Sequence, residues 1–306
     1  MLEMLRTELH CHNVYSNGHV GDLEPPFDCN VSISEQLEKS LESNLDVLFV
    51  TNHNTLDGFN QITNYKNDHE KFSNLKIFPA EEITTDKEAH VLVYGLHEEI
   101  KSNQTLDEII DAAKSQDAIT IAPHPFSLID ALRDDSLKCD LFEVFNSSNI
   151  DIYSNKKAEI FAKEKNLVTT AGSDSHIAST IGRCTNLIDS QNNLDDVIHA
   201  MKKGKISIEK TEYVTHREVL EHIQYKIENS KEYIDQYIQE FYPKYFWLFN
   251  QMYKSYMFTK KSFVWRAVFK IALFGLRRIS YKINFEGYDP YAFRTRDIPT
   301  MTKMIF

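Results

Sequence analysis

The chain has 306 residues, 42% of them hydrophobic, and a net charge of −11, which excludes a disordered chain and allows one large catalytic domain plus an appendage. No stretch reaches the roughly 18 uninterrupted apolar residues of a spanning helix, because Arg266 and Lys270 break the best candidate, Phe263 to Leu276, and Glu3, Arg6 and Glu8 break any leader-like run at the N-terminus. The cysteines at 11, 29, 139 and 184 show no CxxC spacing and read as reduced thiols of a cytoplasmic protein.

Taken in chain order, the first predicted strand ends in TELHCH, residues 7–12. Alternate side chains of a strand share a face, so His10 and His12 point one way and Cys11 the other. A long connection from Asn17 to Asn30 follows, with Asp22, Glu24 and Asp28 beside Pro25 and Pro26; it reads as a rim or lid. Ser32 is placed to cap a helix over Ile33–Leu41, and Thr105 to cap one over Leu106–Lys114; a third helix is predicted over Ser154–Lys165. The runs DVLFVT, LKIFPA, HVLVYGL, AITIAPH, DLFEVFN and NLVTTAG read as strands. Their nearly continuous apolar character suits parallel strands covered on both faces. Polar clusters at the ends of at least five strands favour a closed β/α barrel over a doubly wound sheet, which gathers its site at one switch point. The barrel is expected to fill residues 1–210, with a helical, basic-aromatic region over 211–306. There is no internal repeat and no low-complexity tract.

The clusters themselves are TELHCH, VTNH, PAEEIT, HVLVYG, IAPHP and AGSDSH. Imidazole and carboxylate donors together suit zinc, manganese or iron, whereas an all-oxygen set would suit calcium or magnesium.

In this order the strings resemble the four motifs of the PHP family, named for polymerases and histidinol phosphatases, over roughly residues 5 to 185. TELHCHNVYSNG is similar to the family's His-x-His strand end and Ser-Asp-Gly turn, VTNHNTLDGF to its Thr-Asp-His-Asp-Thr segment, and FPAEEIT to its Pro-Gly-x-Glu-Ile-Thr string. The resemblance implies an α/β fold, a distorted (β/α)7-type PHP barrel with two or three divalent metals. It also implies their ligands: His10, His12, Glu82 and Asp174 for one, Glu82, His90 and His124 for a second, and His53 and His176 for a third. Glu82, rather than Glu81, takes the bridging place. Asn17 and Asn52 stand where the family has aspartates, which weakens the third site, and His19 is a candidate substitute. His69, His97, His199, His216 and His222 lie outside the motifs and read as solvated.

Cations bridged by a carboxylate lower the pKa of a shared water and neutralise phosphate oxygens. The expected reaction is therefore hydrolysis of a phosphate ester by metal-activated hydroxide. Arg183 is a candidate for binding the substrate phosphate; its alternative is a surface ion pair. The asparagines motivate a different alternative, a non-catalytic metal-binding regulatory module.

Charge divides the chain. Residues 1–240 carry 22 Lys/Arg against 42 Asp/Glu, giving −20, and 241–306 carry 12 against 3, giving +9. The acidic half favours a small phosphorylated substrate over a long polyanion. Leu220, Ile223, Ile227, Ile234 and Tyr237 predict an amphipathic helix over Val214–Phe241, interrupted by Ser230, that docks on the barrel or pairs as a coiled coil. Residues 241–285 hold nine Lys/Arg, no acid and fifteen aromatics. They suit a helical hairpin with an aromatic core and basic residues turned to the barrel, an anionic membrane surface, or single-stranded nucleic acid. The last would make the enzyme a nuclease.

Overall fold

The computed structural model describes residues 3–21, 25–260, 262–294 and 297–306; Asp22 and Glu24 of the expected rim lie outside the described residues. Along the barrel the order is β1 (Glu3–Glu8), α1 (Ile33–Glu42), β2 (Val47–Val50), α2 (Asp57–Asn67), β3 (Lys76–Thr84), β4 (His90–Tyr94), α3 (Leu106–Ser115), β5 (Ile119–Ala122), β6 (Leu141–Asn146), α4 (Tyr153–Lys165), β7 (Thr169–Gly172), β8 (Thr185–Ser190), α5 (Leu194–Lys202) and β9 (Ile206–Lys210). Local chemistry sets the helix starts. Ser32 and Thr105 each accept the backbone N–H three residues on, and Glu35 and Glu108 reach back to the cap backbone, forming two capping boxes.

One nine-stranded sheet runs in the order β7-β6-β5-β4-β3-β2-β1-β8-β9. It curls until β7 lies beside β8 and β9, giving a nearly closed barrel. The expectation of parallel strands holds for β1-β2-β3 and for β5-β6-β7. It fails at β4, antiparallel to both neighbours, and at β8 and β9. The short connection from β3 to β4, residues 85–89, forces that reversal, since a parallel crossover needs a dozen residues or more.

At the seam a side chain stands in for a strand partner. Asn186 Oδ1 accepts the Ala171 N–H at 3.0 Å and its Nδ2 donates to the Ala171 carbonyl at 2.8 Å. Away from the polar strand ends, Leu5, Phe49, Leu92, Tyr94 and Ile121 are buried together with Val197 and Met201 of α5. Each such side chain contributes about 1.5–3 kcal/mol of burial. The Tyr94 hydroxyl, buried among them, donates to the Leu9 carbonyl at 2.6 Å.

Beyond the barrel come α6 (His216–Asn229), α7 (Lys231–Phe241), α8 (Phe246–Thr259), α9 (Phe263–Glu286), α10 (Tyr291–Arg294) and α11 (Ile298–Ile305). The amphipathic stretch over 214–241 is thus two helices, broken at Ser230. The C-terminal half of α9 docks on the barrel: Ile279 and Ile283 are buried with Leu128 and with Met304 of α11. The hairpin with an aromatic core and basic residues turned to the barrel forms only in part: Arg277 donates to the Ile150 carbonyl, and Tyr256 packs edge-on against Trp265. Trp247, Phe258, Phe263 and Phe274 are exposed. Among the described residues, the ion pairs of the cations in 241–285 are Lys260 with Glu228 and Lys282 with Glu286, both outside the barrel.

Candidate metal centre

Glu82 lies at the centre of the polar strand ends. Its Oε2 is 3.2 Å from His10 Nε2, 3.2 Å from His12 Nε2 and 3.4 Å from His53 Nδ1. Its Oε1 is 3.0 Å from both His90 Nδ1 and His124 Nε2. Asp174 Oδ1 joins the first set, 3.5 Å from His10 Nε2 and 3.4 Å from His12 Nε2. One carboxylate therefore faces two donor groups, one on each oxygen. Period-two geometry sends Glu81 to the other face, where its Oε2 accepts the Ile100 N–H at 3.2 Å.

These separations fit cations. Two donors about 2.1 Å from one ion, at octahedral or tetrahedral angles, stand about 3.0–3.4 Å apart. Among the described residues, His12 Nε2, His53 Nδ1 and Asp28 Oδ2 are buried with no hydrogen-bond partner. Other donor atoms approach them closely without the alignment of a hydrogen bond, as lone pairs sharing an ion do. The nitrogen-rich set with carboxylates suits zinc, manganese or iron.

The third group contains a carboxylate the sequence reading missed. Asp28 Oδ2 is 2.6 Å from His176 Nε2 and 3.5 Å from His53 Nε2. Asn17 Oδ1 accepts the N–H groups of Asp28 and Cys29 at 2.7 and 2.9 Å, so it builds the turn that presents Asp28 and is not itself a donor to the site. His19 is exposed. Asn52 likewise holds the loop: its Oδ1 accepts from Asn13 N and Ser16 Oγ at 2.9 and 3.1 Å, and Ser16 Oγ lies 3.2 Å from His12 Nδ1. The signal for Asp28 was its carboxylate within the same loop as Asn17, eleven residues on, but sequence spacing alone does not show where such a loop returns.

Burial opposes charge on these groups, and for Glu82, Asp174, Asp28, His10 and His176 the fields of their neighbours overcome it. Glu82, beside His10, His90 and His53, and Asp174, beside His10 and His176, are held well below the usual carboxylate range. Asp28 is held low by His176 and by Lys226 of α6. Against its burial, His10 is raised by Glu82, Asp174 and Glu143, and His176 is raised to about 9 by Asp28 and Asp174. Burial and the neighbouring His176 lower His12. A divalent cation would take the compensating place that protons on the histidines hold here. Backbone strain collects at the same residues: His124 and Asp174 have φ of 27° and 50°, conformations held only where the surroundings enforce them.

Helix α6 covers the third group. Its His222, expected to be solvated, stacks on His176 at 4.8 Å and shares a 2.7 Å hydrogen bond with the Asp28 carbonyl. Lys226 Nζ lies 2.6 Å from Asp28 Oδ1. Arg183 does not face the centre as an open phosphate ligand: its guanidinium is paired with Glu218 at 2.5 Å and Glu212 at 3.3 Å. A cavity of about 70 Å³ lined by Asp174, His176, Thr180, Glu218 and His222 lies beneath this helix.

Comparison with known proteins agrees with this architecture. Residues 153–206 match the model of the PHP-associated family. The chain is 30% identical over 151 residues to the uncharacterised protein MJ1587 of Methanocaldococcus jannaschii, spanning 48% of this chain and 85% of that protein. It is 33% identical over 126 residues to MJ0417 of the same organism, spanning 38% of this chain and about half, 53%, of that protein. The fold is shared with PsfC from Pseudomonas syringae (TM-score 0.52, 18% identity, 74% of this chain and 98% of that one) and with the lesion-specific endonuclease PfuEndoQ from Pyrococcus furiosus (TM-score 0.50, 17% identity, 67% and 58%). With its motif strings brought together at one end of a nearly closed barrel, the chain belongs to the PHP-domain family.

Proposed function

We propose that the protein hydrolyses a phosphate ester at a centre of two to three divalent cations, zinc, manganese or iron, held by His10, His12, His53, Glu82, His90, His124, Asp174 and His176 with Asp28. We assign this reaction to residues 1–210 and a covering role to 211–306. The single observation that carries the reading is Glu82, with three imidazoles on one oxygen and two on the other. Bound cations there lower the pKa of a coordinated water and neutralise phosphate oxygens.

The protein's own residues orient and exclude. Glu143 beside His10 Nδ1 favours the proton on that nitrogen and turns Nε2 towards Glu82. Asp130, 3.3 Å from His124 Nδ1, does the same for His124. Helix α6 limits access to the space beside Asp174 and His176, and the acidic barrel disfavours long polyanions. Both features support a small phosphorylated metabolite or nucleotide as substrate. The four free cysteines support a reducing, cytoplasmic setting.

The test is release of phosphate from an aryl phosphate and from a 5′-phosphorylated oligonucleotide, with each metal, against the variant His12→Ala/Asp174→Ala. Turnover of the small ester that vanishes in the variant supports the reading. Turnover of the oligonucleotide alone would make the protein a nuclease. Silence on both, with cations bound, would leave a metal-stabilised regulatory module.

A further inference from the structure

The C-terminal helices present a surface that the barrel does not cover. Phe258 and Phe263, 91% and 76% exposed, flank the turn between α8 and α9, and Trp247 on α8 is 73% exposed. Along α9, Phe263, Ala267, Ile271 and Phe274 recur at helical spacing and are all exposed, Ile271 72% and Phe274 60%. This row points away from Ile279 and Ile283, which carry the contact with the barrel. Nine Lys/Arg and no Asp/Glu occupy 241–285. Among the described residues, Lys244, Lys254, Arg266 and Lys270 are exposed and form no ion pair.

We propose that α8 and α9 lie flat on an anionic lipid bilayer, their apolar row in the headgroup boundary and their cations on acidic headgroups. No helix among the described residues is long and apolar enough to cross a membrane; helices with an apolar face and flanking cations bind at the interface instead. An oligonucleotide would also use the cations. However, Val264, Val268 and Ile271, which fill the surface between the aromatics, offer no face for stacking bases. A symmetric contact between two copies would bring the same unpaired cations together. Charge complementarity therefore selects the lipid surface. It would also bring the candidate centre near the bilayer, because α6 is shared: Ile223 and Ile227 line an apolar groove of about 450 Å³ with Trp265 and Phe269 of α9, while His222 and Lys226 reach Asp28.

The experiment is cosedimentation of the full chain with vesicles of phosphatidylcholine alone and of an equimolar mixture with phosphatidylglycerol, at low and high salt. Binding to the mixed vesicles, weakened by salt, is expected. Removing two cations with Lys254→Gln/Arg266→Gln lowers partitioning by about 25-fold. Ile271→Ser/Phe274→Ser lowers it by about tenfold or more. These side chains are exposed and far in sequence from the barrel ligands, so circular dichroism and metal content should stay unchanged. The result stands whether or not the centre hydrolyses phosphate esters. Three outcomes would overturn the proposal: no partitioning onto either vesicle, a dimer abolished by Ile271→Ser/Phe274→Ser without vesicle binding, or capture of oligothymidylate without vesicle binding.

Discussion

Glu143 Oε1 lies 3.1 Å from His10 Nδ1, and its Oε2 accepts the backbone N–H of His124 at 2.7 Å, so one carboxylate of β6 sets the His10 imidazole and holds the backbone that carries His124, whose rings face opposite oxygens of Glu82. Partners of this kind fix tautomer and ring orientation, and their loss costs about 10- to 100-fold in metal affinity. Glu143→Gln is expected to show that loss for manganese in a calorimetric titration. An unchanged affinity would mean that packing alone orients His10. Gly172→Ala should act in the same direction by steric means, because a Cβ there would collide with the Glu143 carboxylate and come within 2.7 Å of the His10 Cβ.

Asp28→Asn should lower the bound cation content by one equivalent while the ions on Glu82 remain, as read by elemental analysis after dialysis. Its buried Oδ2, 2.6 Å from His176 Nε2 and 3.5 Å from His53 Nε2, is the reason. Asn17→Asp, which restores the expected motif residue, should add no cation. Its Nδ2 donates to the Cys29 carbonyl at 2.9 Å and to Tyr225 Oη at 3.1 Å, and a carboxylate cannot replace those bonds. Equal cation content in the wild type and Asp28→Asn would count against the third position.

The contrast between Asn17 and Asp28 shows where sequence reading stops. His10 and His12 were legible because a strand dictates which neighbours share a face, and Glu82 was separated from Glu81 by a family string. Capped helices at Ser32 and Thr105 follow from local hydrogen bonding. The reversal of β4, the break at Ser230 and the return of α6 onto Asp28 depend on loop paths and tertiary packing, which leave no periodic trace. His222 looked solvated for the same reason: its partner is 194 residues away.

Asn186 at the barrel seam gives a stability test on a residue that is not itself a donor. Asn186→Ala leaves both polar groups of the buried Ala171 backbone without their partner. The expected cost is about 1–3 kcal/mol per unsatisfied group, read as a fall in the urea midpoint at constant m-value. A loss below half of one such group would show that β8 or water takes over the pairing.

The junction between the barrel and α9 should respond to pH. Asp151 Oδ1 accepts from Tyr153 N, Ser154 N and Ser280 Oγ at 2.9, 2.8 and 2.6 Å, and Arg277 donates to the adjacent Ile150 carbonyl. Burial raises the Asp151 carboxyl above its ordinary range, more than these hydrogen bonds lower it. A folded value above the unfolded one, about 3.9, means that the fold prefers the proton. Its contribution is therefore full below the unfolded value and is lost as pH rises through the folded value. Asp151→Asn removes the titration and keeps an acceptor. The stability difference, wild type minus variant, should fall as pH rises above the unfolded value of about 3.9, measured as urea midpoints at matched pH with other groups cancelling. A flat difference would show that these three donors hold Asp151 at its ordinary value and that the junction is indifferent to its charge.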